Sequence, residues 1–229
     1  MARMRHWATF IFISIAIVAP GAAQAGTAAV TRPAGPTRIA QFTAERGEVN
    51  KLRVRVSASG RTVLFIDLGR LPITPGAGCI AYRGKPNEAI CSLPARFTLA
   101  QALLGSGNDF ADLDSLGSTQ VNAAGEDGDD NILVGRRATR WSIAGGNGND
   151  RLGAKGESAL SGSLRGGAGN DRLTGSKGSD RLIGDAGDDA LRGGAGKDRY
   201  SCGTGRDRAQ VRASEGEVAG SSCEGKNLP

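Results

Sequence analysis

The chain has 229 residues, with thirty-six glycines and only ten aromatics, and no long apolar run follows the N-terminal segment, so a core of large side chains is poorly supplied. The net charge of +6 hides a split, because residues 26–100 hold eleven Lys or Arg against four Asp or Glu, whereas residues 101–229 hold sixteen against nineteen. The single histidine is His6, which leaves the rest of the chain without the usual general base, the usual zinc ligand or any Ser-His or Cys-His dyad, and neither G-x-S-x-G nor H-E-x-x-H occurs. Hydrolytic catalysis is disfavoured, and no enzymatic activity is expected.

Residues 1–25 read as an export signal. Arg3 and Arg5 precede an apolar stretch from Trp7 to Val18, and Ala23-Gln24-Ala25 gives the small-x-small pattern of a signal-peptidase site, with cleavage expected after Ala25. Roughly a dozen apolar residues fall short of the ~20 that span a bilayer, so no membrane span is expected. A secreted, extracellular protein follows. Residues 26–37 carry two prolines and several small residues and are expected to form a tether.

Residues 38–103 read as a β-rich cap. "KLRVRV" (51–56) and "TVLFIDL" (62–68) have the alternation and β-branched content of two strands joined by a turn, and Arg53 and Arg55 then lie on a solvent face rather than on a nucleic-acid surface. "GCIAYRGKPNEAIC" (78–91) is a loop or hairpin. Four cysteines, an even number in an exported chain, read as disulfides with three possible connectivities. Short spacing favours Cys79 with Cys91 and Cys202 with Cys223; neither pair has the C-x-x-C spacing of zinc sites.

From residue 104 the chain repeats itself. Five adjoining nonamers, GGAGNDRLT (166–174), GSKGSDRLI (175–183), GDAGDDALR (184–192), GGAGKDRYS (193–201) and CGTGRDRAQ (202–210), keep glycine at position four and aspartate at position six. GGNGNDRLG (145–153), GEDGDDNIL (125–133) and the degenerate LGSGNDFAD (104–112) are further copies. A phased apolar residue at position eight argues against a disordered spacer, and Ile132 and Ala138 exclude an EF-hand around Asp127-Gly128-Asp129.

Six glycine-rich residues and then x-U-x mean a tight loop followed by a short strand whose middle side chain points inward. Glycine lets carbonyls converge without an intervening Cβ, and aspartate adds a hard anionic oxygen of the kind calcium prefers. The pattern resembles the RTX, or hemolysin-type, calcium-binding repeat over residues 104–210. The resemblance implies an all-β fold, a parallel β-roll (β-solenoid) in which two nonamers make one coil turn, with several calcium ions held between stacked loops.

Aspartates at 109, 130, 150 and 171 are 21, 20 and 21 residues apart, one coil plus a small insertion. The intervening halves keep positions eight and nine in Ile143-Ala144, Leu164-Arg165 and, more weakly, Ala123-Ala124. Asp109, Asp130, Asp150, Asp171, Asp189 and Asp207 should therefore line one edge and Asp180 and Asp198 the other, giving five candidate gaps on the first edge and one on the second. Sites 109/130 and 189/207 should be weakest, because Leu104 and Cys202 replace the glycine of position one. Residues 211–229 should fold back as a disulfide-tied C-terminal cap.

Large relatives of this repeat class carry a separate active domain, for which this chain has no room. The expected protein is thus a monomeric calcium binder of the cell exterior, structural or adhesive, with cell-surface polysaccharide or protein as partner and no nucleic acid. The competing reading is a secreted hydrolase or toxin-like effector that uses the β-roll as a stabilising domain.

Overall fold

The computed structural model describes residues 26–31, 37–45, 47–57, 59–115, 120–135, 138, 140–155, 161–212, 216–220 and 222–227. The export signal expected over 1–25 lies outside these residues. The N-terminal part contains β1 (Gly26–Thr31), β2 (Ile39–Ala44), β3 (Lys51–Val56), β4 (Thr62–Asp67), β5 (Ile73–Pro75), β6 (Cys79–Tyr82), β7 (Lys85–Ser92) and β8 (Leu99–Leu103). After β9 (Phe110–Ser115) the strands come in pairs: β10 (Gln120–Asp127) and β11 (Asn131–Val134), β12 (Arg140–Asn147) and β13 (Arg151–Ala154), β14 (Gly162–Ala168) and β15 (Arg172–Thr174). The series ends with β16 (Arg181–Ala186) and β17 (Ala190–Arg192), β18 (Arg199–Thr204) and β19 (Arg208–Val211), β20 (Val218–Ala219) and β21 (Glu224–Asn227). No helix occurs among the described residues, and none is long and apolar enough to cross a membrane.

Two sheets result. The first runs β20-β18-β16-β14-β12-β10-β8-β2-β1-β5, the second β21-β19-β17-β15-β13-β11-β9-β3-β4-β7-β6. From β8 and β9 onward every pairing is parallel, giving a β-solenoid of about five turns. Antiparallel pairs are confined to the N-terminal cap, at β1/β2, β3/β4, β4/β7 and β6/β7. These strands cover the first coil and carry its sheets on, as a solenoid end with an open core requires.

The core follows from position eight. In the first sheet Phe42, Ala102, Ala123, Ile143, Leu164, Leu182 and Tyr200 share one register column, and in the second Leu52, Ala111, Ile132, Leu152, Leu173, Leu191 and Ala209 share another; all are buried. The loop-less half coils thus keep the column, as their sequence predicts. Each buried leucine contributes roughly 1.5–3 kcal/mol, so a ladder of thin layers holds what a single large core otherwise would.

Where a second-edge aspartate would fall two coils above Asp180, Trp141 turns inward instead, 1% exposed. Gly162, its register partner, makes this possible, since a Cβ there would meet the indole at 2.0 Å.

Both expected disulfides are present, Cys79–Cys91 across the β6/β7 hairpin and Cys202–Cys223 between the last repeat and the tail. The tail adds strands β20 and β21 to the two sheets. One expectation fails: residues 26–31, read as part of a tether, form β1, paired with β2 and β5. Thr27, Ala28 and Val30 supply a strand whose inward Ala28 is fully buried, and the sheet edge of β2 decides its conformation where the local prolines do not.

Candidate metal-binding edges

All eight predicted aspartates are buried, each at 2% exposure or less. The structure sorts them onto two edges as their spacing requires. On the long edge the amide of each aspartate donates to Oδ1 of the next: Asp109 to Asp130 (2.8 Å), Asp130 to Asp150 (2.9 Å), Asp150 to Asp171 (2.8 Å), Asp171 to Asp189 (2.8 Å) and Asp189 to Asp207 (3.0 Å). On the short edge Gly162 N donates to Asp180 Oδ1 and Asp180 N to Asp198 Oδ1, both at 2.8 Å.

The second carboxylate oxygen is the informative one. Oδ2 of Asp109, Asp130, Asp150, Asp171, Asp189, Asp198 and Asp207 is buried and has no hydrogen-bond partner. An unpaired buried anionic oxygen costs several kcal/mol unless something cationic or protonated meets it. Asp180 differs, because its Oδ2 accepts from Ser176 N (2.6 Å) and Ser176 Oγ (2.8 Å).

The glycine of position one leaves the room these oxygens occupy. A Cβ on Gly125, Gly145, Gly166 or Gly184 would lie 1.8–2.2 Å from Oδ2 of its own loop's aspartate and 2.3–2.8 Å from the carbonyl of position one in the following coil. Each cradle is thus bounded by a carboxylate oxygen and a backbone carbonyl from the adjacent coil. Position four works differently: Gly148 has φ +132°, and a Cβ there would meet the Gly128 carbonyl at 2.2 Å, so the loops stack backbone on backbone. Glu126 and Asp185, which replace glycine at position two, hold the same left-handed conformation at φ 80° and 77°, while Ser176 does not.

Burial raises the carboxyl pKa values. Asp130 is pushed up to about 7, first by burial and then by the Asp109, Asp150 and Asp129 carboxylates, against the Asp109 amide that favours ionisation. Asp171 is also pushed up to about 7, by burial and by Asp150, Asp189 and Asp185. Asp198 reaches about 7 by burial with Asp180 and Glu217 adding to it, while Asp109 and Asp189 reach about 6, again chiefly by burial. Asp150 and Asp180 are raised by burial as well.

The donor set fits a hard divalent cation. Among the described residues no three Asp, Glu, Cys or His side chains converge, so side chains alone would not complete a shell. Backbone carbonyls of the loops must contribute, which suits calcium, a cation that takes carboxylates and carbonyls together.

Three features escape a reading of the repeat alone. Residues 47–52 belong to a further loop without aspartate, in which Asn50 stands at position six and Leu52 at eight; Asn50 N donates to Asp109 Oδ1 (2.6 Å), and its side-chain amide reaches Glu48 O (3.1 Å). The sequence signal is an Asx followed two residues later by a buried apolar residue, but the glycine pattern is missing. Position five carries a second, exposed ladder of opposite polarity, in which Asp129, Asn149, Asn170, Asp188 and Arg206 each donate N–H to the side chain of the preceding member, beginning at Asn108. Glu217 follows Asp198 on the short edge, next in register, and accepts from the Tyr200 hydroxyl (3.2 Å) and the Arg212 amide.

No curated protein and no solved structure matches the chain. Residues 164–208 match the RTX calcium-binding nonapeptide repeat in four copies, so this stretch of the β-solenoid is an array of RTX calcium-binding repeats.

Proposed function

We propose that this is an exported calcium-binding β-roll protein, ordered by calcium outside the cell and serving a structural or adhesive role rather than an enzymatic one. The observation that carries this reading is the row of buried, unpartnered Oδ2 atoms, each beside a glycine-lined cradle. Asp109, Asp130, Asp150, Asp171, Asp189 and Asp207 would hold ions on the long edge and Asp198 on the short one, with loop carbonyls completing each shell; Asp180 is the weakest candidate of the eight. Bound calcium supplies positive charge that compensates the buried carboxylates and ties neighbouring coils.

Metal energy enters such a folding equilibrium directly, and extracellular calcium modules bind at about 10⁻⁴–10⁻³ M. RTX repeats are typical of secreted bacterial proteins, and two disulfides accord with an oxidising compartment. Export through the segment ending at Ala25, a monomeric state and a cell-surface partner belong to this reading.

Circular dichroism of residues 26–229 during titration with calcium and then with chelator tests it. A β-rich signal that grows with calcium and falls with chelator is expected; a spectrum already complete in chelator and indifferent to calcium sinks the reading.

A further inference from the structure

The charge on the solenoid is sorted by surface. Acidic side chains crowd the edges, while the outer face of the second sheet presents Arg151 on β13, Arg172 on β15, Arg192 on β17 and Arg208 on β19, all exposed and none in an ion pair. Arg151, Arg172, Ala190 and Arg208 share one register column, and Arg192 stands in the next column, two residues along its strand from Ala190.

Neighbouring strands lie about 4.8 Å apart. Arg151 and Arg172 stand directly opposite at that spacing, where like charges repel by about 1 kcal/mol in water and more near a protein surface, and an anionic partner would relieve this. Glu224, the register partner of Arg208, ends the column, and Asp188 is held below the usual carboxylate range first by the Arg206 amide and in part by the charge of nearby Arg208, so the compensating acids sit at the Arg208 end. The face is also concave there: an open depression of 760 Å³ is lined by Arg172, Thr174, Arg192, Arg208 and Gln210.

The first sheet offers no equivalent, since Arg165 pairs with Asp185 and Ser163 precedes Arg181 and Arg199 in their column.

We propose that this outer face, across β13–β19, is a docking surface for a linear anionic polysaccharide, gripped by Arg151, Arg172, Arg192 and Arg208. Guanidinium forks match carboxylate and sulfate groups in bidentate fashion, and arginines on four successive strands, staggered over two register columns, suit an extended, repeating polymer. No aromatic stands among these arginines to stack bases, unlike the surfaces that hold single-stranded nucleic acid. The proposal rests on the calcium reading in one respect: ions on the flanking edges would offset their negative charge and strengthen the field of the face.

Fluorescence-detected binding of dextran sulfate, with uncharged dextran and duplex DNA as separate arms, tests this on residues 26–229 with and without calcium, circular dichroism being recorded in each condition. Dextran sulfate is expected to bind, dextran not, and DNA more weakly. Affinity should fall roughly tenfold to a hundredfold between about 50 and about 200 mM salt, as neutralising about four charges implies. The R172Q/R192Q/R208Q variant should lose at least about tenfold while R140Q/R181Q/R199Q, on the other sheet, changes little.

An equal loss in both triple variants, DNA binding as tight as dextran sulfate, or absent binding by protein that calcium has ordered would each overturn the docking face. The last of these leaves the calcium reading intact. Binding that depends on the second-sheet arginines in a protein indifferent to calcium keeps the face and removes the calcium reading instead.

Discussion

On the long edge six aspartates leave Oδ2 without a partner, whereas on the short edge Asp180 gives both oxygens to protein donors and Asp198 alone keeps one free. The nonamer is the same on both edges, so the aspartate itself does not explain the difference. Position two does. Gly105, Glu126, Gly146, Gly167, Asp185, Gly194 and Gly203 are all left-handed, and the aspartate four residues after each has an unpartnered Oδ2; Ser176 is not, and its amide and hydroxyl close on Asp180. Only loops that are left-handed at position two leave the aspartate an oxygen without a protein donor.

The largest expected effect separates the edges directly. Asp171→Ala should raise the calcium concentration needed for ordering by at least about tenfold, the lower end of what losing even an outer-shell partner costs a metal site. Asp180→Ala should raise it much less. Calcium titrations of the two variants followed by circular dichroism check this, and equal shifts would break the comparison.

A smaller effect comes with pH. Without calcium the folded pKa values, about 7 for Asp130, Asp171 and Asp198 and about 6 for Asp109 and Asp189, lie above the ordinary 3.8, so the fold holds protons that the unfolded chain releases. Their stabilising effect is complete below about pH 4 and is lost as pH rises through 6 and 7. In chelator, Tm should therefore be higher at pH 5 than at pH 8, by roughly 2–4 °C for each kcal/mol involved. In calcium the order should reverse, because a metal requires the ionised carboxylate. Thermal melts at the two pH values, with and without calcium, decide it.

The last test converts one edge toward the other. Ser176→Gly removes the hydroxyl from Asp180 and permits the left-handed turn, so in chelator it should cost about 1.5–3 kcal/mol, the worth of a hydrogen bond to a charged group. With calcium the loss should be recovered, and calorimetric titration should register additional bound ion. A variant that loses stability equally in both conditions would show that position two does not govern the site.

Much of this was legible beforehand. Spacings of 20 and 21 residues predicted that the early aspartates share an edge with loop-less half coils between them, and Ile143 and Leu164 sit in the column that reading assigns. Asn50 was not legible, because its loop keeps neither the glycines nor the aspartate and only stacking on Asp109 identifies it. The position-five ladder is not legible because that position varies between Asn, Asp and Arg, residues whose shared property, a backbone N–H offered to the previous coil, is invisible until coils are stacked. β1 was missed because a small, proline-flanked segment becomes a strand only when an edge is there to pair with.

The sequence by itself determined the inward column, because a residue that recurs at position eight must face inward once strands alternate, while the coil of two nonamers per turn followed from the resemblance to the RTX repeat. The sequence also favoured, by short spacing, the two disulfides that form, Cys79–Cys91 and Cys202–Cys223. Tertiary structure alone decided which aspartates keep an oxygen without a protein donor. That outcome depends on φ at position two, left-handed at Glu126 and Asp185 but not at Ser176, whose amide and hydroxyl close on Asp180, and residue type at that position does not fix the conformation.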